Sequence, residues 1–186
     1  MLSISMLRAL TRRHFPAIAA VLLVPGILAG VALAAQDRSA LQVPNGLAFS
    51  EFKGYEDWQP VAVSQTETLI KVIVANPIMM EAFKSGLPSD GKLFPDGSKV
   101  AKIEWTFKKN ALSPYSVDVP DTLKALAFIE KDTKRFPNTH GWAYAEFDYD
   151  TATDTLKPLG EGAECGFACH TRVAGQDYTF TAYPKR

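Results

Sequence analysis

The residues best equipped for chemistry lie near the end of the chain, in Glu164-Cys165-Gly166-Phe167-Ala168-Cys169-His170. This run holds the only two cysteines of the 186-residue sequence, with a histidine directly after the second. Two thiols and an adjacent imidazole are the groups that covalent haem attachment uses. The thiols add to the porphyrin vinyl groups and the histidine reaches the iron from one side. The usual signature has two residues between the cysteines; here Gly166, Phe167 and Ala168 make a longer spacer. The second cysteine and its histidine keep their normal relation. We read Cys165 and Cys169 as attachment points for one covalent haem c, and His170 as the axial ligand of its iron. Two other readings stay open from the residues alone. Cysteines four apart on a helical turn can reach disulfide distance. A zinc site is the weaker alternative, because a single histidine is near and no second ligand pair accompanies it.

The elements that must position this run are read from the start of the chain. Residues 1–35 are expected to be a cleaved signal peptide, with Arg8, Arg12 and Arg13 ahead of an apolar run from Phe15 to Ala35. Ala32-Leu33-Ala34 gives small residues at the spacing a signal peptidase reads, and Pro16, Pro25 and Gly26 argue against an uncleaved membrane anchor. Thr11-Arg12-Arg13-His14-Phe15 also resembles a twin-arginine export signal. Export to the periplasm fits cysteines destined for haem or a disulfide. Cleavage removes three arginines and no acids, so a balance of 20 basic against 20 acidic residues becomes 17 against 20. That mild acidity, without a basic patch, excludes nucleic acid as the expected partner.

About 150 residues then remain, the size of one domain. Residues 36–48 read as a flexible lead-in, and 49–186 as the haem domain. Phe49, Phe52, Tyr55 and Trp58 recur at helical spacing and predict a short amphipathic helix ending before Pro60, its aromatic stripe serving the core. Residues 66–75 predict a strand through Ile70, Val72, Ile73 and Val74. Asn76-Pro77 marks a helix start, with a capping side chain followed by proline in the first turn, and Ser85-Gly86 its end. A loop punctuated by Pro88, Asp90-Gly91 and Pro95-Asp96-Gly97 leads to strands expected over 99–108, 123–131 and 141–149, with a helix as the alternative for Lys124-Ala125-Leu126-Ala127. The expected fold is α+β: mainly an antiparallel sheet, short flanking helices and a C-terminal haem-attachment segment.

An ordered set of motifs then carries a resemblance. Phe94-Pro95-Asp96-Gly97 precedes a strand containing Lys102. It is followed by Lys131-Asp132-Thr133-Lys134-Arg135-Phe136, Gly141-Trp142-Ala143-Tyr144, Cys169-His170 and Asp177-Tyr178-Thr179-Phe180-Thr181. Together, from about Tyr55 to Tyr183, these resemble the cytochrome P-460 family of periplasmic haem proteins. The resemblance implies a homodimer of largely β protomers, each with one five-coordinate haem whose proximal ligand is His170 and whose other face is open to a small nitrogenous ligand or substrate. P-460 members oxidise hydroxylamine, pass electrons to a periplasmic acceptor, and carry an extra lysine–porphyrin bond. The β-type cytochromes c′ of the same family instead bind nitric oxide or carbon monoxide in an apolar pocket.

The resemblance points to Lys102 as the cross-linking lysine, with Lys99 as the fallback. Strand alternation sets Lys102 opposite the face of Ile103, Trp105 and Phe107. Plain solvent exposure is the alternative for either lysine. The family's proton-accepting carboxylate lies shortly before the haem cysteines, which here leaves Glu161, preferred, or Glu164. His140 reads as a turn or surface residue, and Phe94 and Phe136 as core residues with a possible pocket-capping role. Met79 and Met80 could supply the second axial ligand of a simple electron carrier, but the helix holding them lies far upstream.

Overall fold

A computed structural model describes residues 35–160 and 163–186. Residues 1–34, which hold the expected export signal, and Glu161, the expected proton acceptor, lie outside the described residues. Six strands form one antiparallel meander in chain order: β1 (Gln59–Gln65), β2 (Ile70–Ala75), β3 (Lys99–Lys109), β4 (Asp118–Lys131), β5 (Trp142–Asp150) and β6 (Thr155–Leu159). Helix α1 (Pro77–Lys84) links β2 to β3, and α2 (Ala163–His170) follows β6 and runs into a 3-10 segment, Thr171–Gln176. This is the α+β, mainly antiparallel architecture expected.

The start of α1 shows how one side chain can set a junction. Asn76 Oδ1 accepts the Met79 backbone N–H at 3.0 Å and that of Lys99 at 3.1 Å, while its Nδ2 donates to the Gly97 carbonyl at 2.8 Å. The cap therefore ties the helix to the start of β3 as well as supplying an orphan donor with a partner.

Alternation along the strands separates two faces. On one, Val74, Ala101, Leu126, Phe128, Ala145, Phe147 and Leu156 are buried beneath Val43, Leu47, Phe49, Phe52 and Tyr55. The Phe52 ring stacks on Phe128 at 4.3 Å, and Phe49 meets that ring edge-on at 5.3 Å. The aromatic stripe thus serves the core, but not as a continuous helix. Two 3-10 turns, Phe49–Phe52 and Tyr55–Asp57, are separated by Gly54 at φ 83°, a left-handed bend that glycine takes without steric penalty. The 36–48 stretch contributes Val43 and Leu47, 1 % and 0 % exposed, to this same core.

Cross-strand register assigns the other face. Ile73, Lys102, Ala127, Glu146 and Leu159 stand side by side across five strands, and Ala75, Val100, Ile129 and Tyr144 form the next row. One end of this face is covered by α1, Phe94 and Trp142. The remainder forms the floor of a cavity.

A cavity between the sheet and helix α2

The cavity measures about 360 Å³ and is lined by the sheet, by α2 and by the last residues of the chain. Its floor is Ile73, Val100, Lys102, Ala127, Ile129, Tyr144, Glu146 and Leu159; Cys165, Gly166, Cys169 and His170 come from α2, and Thr179, Phe180 and Thr181 close it. A small alanine at 127, between Lys102 and Glu146, keeps the floor low.

Helix α2 sits on β5 through glycine. A Cβ at Gly166 would run into Cβ and Cγ of Tyr144, so no larger residue fits while the helix keeps its place. The residue inside the cysteine spacer is therefore what permits close helix–sheet contact. Cys165 and Cys169 are four apart, on one side of the helix, and both are unbonded, exposed thiols. Both line the cavity. Among the described residues no cluster of histidine, cysteine and carboxylates has the makings of an ordinary metal site.

His170 ends α2, half-buried. Its Nδ1 lies 2.6 Å from the Tyr178 carbonyl oxygen, which can only accept, so Nδ1 carries the proton and donates. That leaves the Nε2 lone pair for a metal. Tyr144 packs against the imidazole at 4.5 Å and Phe180 meets it edge-on at 4.9 Å. Burial holds the His170 pKa below its usual value, against the opposing effect of the Tyr178 hydrogen bond and with help from the charge of Lys102. A neutral imidazole with one free nitrogen is the form that binds iron.

Lys102 lines the cavity, but its amine lies 2.7 Å from Glu104 Oε1, which also pairs with Lys71 at 3.0 Å. Burial pushes the Glu104 pKa up, yet the hydrogen bonds from Lys102 and Lys71 outweigh it and hold the carboxyl below its usual range. Lys99 lies on the opposite face, where its amine donates to the Glu51 carbonyl at 2.9 Å and sits over the Phe52 ring. Glu164 is exposed on α2 and does not line the cavity. His140 is exposed in a left-handed turn, its ring stacked on Tyr178 at 5.0 Å. Phe94 is buried against Phe83 and Trp142, and Phe136 packs at the edge of the other core. Met79 and Met80 are buried beneath α1, away from the cavity lining.

Glu146 is the cavity residue that the motif reading passed over. It makes no hydrogen bond or ion pair with a described residue. Burial raises its pKa, Lys102 lowers it, and Glu104 and Asp148 raise it further. Its position two residues after Tyr144 on an alternating strand is the signal that could have found it.

Thiols, imidazole and cavity fit a covalently held haem. The Tyr144 hydroxyl, buried against the cavity with no partner among the described residues, fits a further group being accommodated there. Fold and site define a haem domain of the c type built on an antiparallel sheet. Residues 52–181 match the family described as Cytochrome P460, and the chain belongs to that family. No curated protein matches the chain. The cofactor is covalently attached haem c with its iron; Cys165 and Cys169 are the thiols that would hold it, and His170 the ligand.

Proposed function

We propose that the protein is an exported mono-haem oxidoreductase that oxidises hydroxylamine or a related small nitrogen species. The observation that carries this reading is the polar pair on the cavity floor. Lys102 and Glu146 share one cross-strand row with only Ala127 between them, and both line the cavity. A pocket that only captured a neutral diatomic gas has no use for an unpaired carboxylate.

The haem supplies the iron that binds substrate and takes up its electrons. His170, its tautomer fixed by the bond to the Tyr178 carbonyl, would be the residue that holds that iron. As electrons leave hydroxylamine its protons must go too, and Glu146, half-buried and unpaired, is the described carboxylate placed to accept them. Glu161 is proposed for the same duty on the family resemblance. Lys102 is proposed as the lysine bonded to the porphyrin. The same reading takes the protein as a periplasmic homodimer that delivers electrons to an exported acceptor.

The test is hydroxylamine-dependent reduction of an artificial electron acceptor by the purified holoprotein. Wild type should turn over, and Glu146→Gln should slow it by about 10² or more while keeping its haem, the scale of a lost proton acceptor. Undiminished turnover in Glu146→Gln removes that residue from the mechanism.

A second reading has its own support. The 2.7 Å pair with Glu104 engages the Lys102 amine, and Ile73, Val100, Ile129 and Leu159 make most of the floor apolar. Both features suit a β-type cytochrome c′ that binds nitric oxide without turnover. Tight nitric oxide binding with no hydroxylamine oxidation would select it.

A further inference from the structure

Beside the cavity, and unused by the chemistry above, lies a buried ion pair. Lys131, the last residue of β4, and Asp177 have side chains 2 % and 1 % exposed. The Lys131 amine lies 2.6 Å from both carboxylate oxygens of Asp177. Trp142 Nε1 donates to Oδ1 at 3.1 Å, and the Phe94 backbone N–H to Oδ2 at 2.8 Å. Donors from three separate stretches of chain thus converge on one carboxylate. The ammonium also sits over the Trp142 ring at 5.1 Å.

We infer that the Lys131–Asp177 pair is the positioning element for His170, acting through the backbone carbonyl of Tyr178. A buried pair of charges is a poor route to stability, since well-packed apolar residues of similar volume often serve as well or better. It can, however, fix orientation, and an orientation here needs fixing. Asp177 and Tyr178 have φ 48° and 59°, two successive non-glycine residues in the left-handed region. Such backbone persists where its surroundings over-determine it. The converging bonds on the Asp177 side chain do so from one side. On the other, the Asp177 and Tyr178 N–H groups donate to the Ala174 and Val173 carbonyls, each at 3.1 Å. The product of this turn is the Tyr178 carbonyl, held 2.6 Å from His170 Nδ1.

That bond selects the His170 tautomer and sets how basic Nε2 is toward iron. Neither Lys131 nor Asp177 lines the cavity, and neither side chain hydrogen-bonds His170, so they are positioning residues. The inference rests on His170 as the haem ligand and is independent of which substrate the iron meets.

The test uses covalent holoprotein in its ferrous five-coordinate form, read by the iron–histidine stretching frequency in resonance Raman spectra and by the midpoint potential. Asp177→Asn turns an NH₂ toward donors, so it should loosen the turn. The iron–histidine frequency should fall and the potential rise, because a weaker bond at Nδ1 leaves Nε2 a poorer electron donor. Lys131→Met should act in the same direction. Trp142→Phe removes one donor of the set and should give a smaller shift of the same sign; it carries the test if the charge variants do not accumulate. Leu126→Ala, which cuts into the core on the opposite sheet face, should lower stability without moving either reading. Wild-type frequency and potential in the network variants would overturn the inference, as would equal shifts in Leu126→Ala. Shifts of the expected pattern in a protein that does not oxidise hydroxylamine would support the positioning role while refuting the proposed activity.

Discussion

Replacing Gly166 by alanine tests whether close seating of α2 on β5 builds the site. In an unconstrained helix the change would help, by about 1 kcal/mol, because alanine has the better helical propensity. Here the new methyl group lands on Cβ and Cγ of Tyr144, atoms next to the backbone that cannot swing aside. Overpacking of that kind costs about 3 kcal/mol at the upper end of its usual range. The net effect is destabilisation by about 2 kcal/mol, which lowers the melting temperature by roughly 4–8 °C for a domain of this size. Because α2 carries Cys165, Cys169 and His170, shifting it should also reduce the covalent haem recovered. Gly175→Ala is the control: no atom lies within 4 Å of a Cβ there, so stability should hold or rise slightly. Both variants are read by thermal unfolding of the purified holoprotein and by haem staining on a denaturing gel. A Gly166→Ala protein with wild-type melting temperature and full haem would refute the reasoning.

Two further expectations follow from the same site. Cys169→Ala should abolish stable haem, seen as lost haem staining after denaturation; a full covalent complement in that variant would contradict attachment through Cys169. For Glu146 the sign is set by its raised pKa. Between the ordinary carboxylate value and the raised one, the folded state holds the proton more tightly than the unfolded chain, so stability falls as pH rises through that window. Denaturant midpoints across this range should fall less steeply in Glu146→Gln than in wild type, and identical slopes would show that the carboxylate is not desolvated.

Much of this fold can be read from local chemistry. Asn76-Pro77 announces α1, and the β-branched and aromatic runs locate β2, β3 and β5 within a few residues. Both edge strands escape such a reading. Strand β1 contains Pro60 and is exposed over most of its length, and β6 contains Pro158, so neither shows the alternation of a half-buried strand. The helix expected over 49–58 has the right apolar positions, but Gly54 breaks it where periodicity gives no warning. In the site, Cys165, Cys169 and His170 announce themselves because haem attachment needs them adjacent in sequence. Lys131 and Asp177 do not. They lie 46 residues apart, and lysine and aspartate ordinarily belong on a surface, so only the folded chain shows that they are buried together.

The most direct test of the proposed activity is the absorption spectrum of the purified, dithionite-reduced protein. A broad, strongly red-shifted Soret band, lost in Lys102→Met, is the result expected of a haem bonded to Lys102 and working as a hydroxylamine oxidiser. An ordinary five-coordinate c-type spectrum, unchanged by Lys102→Met, would contradict the cross-link and move the assignment to nitric oxide binding.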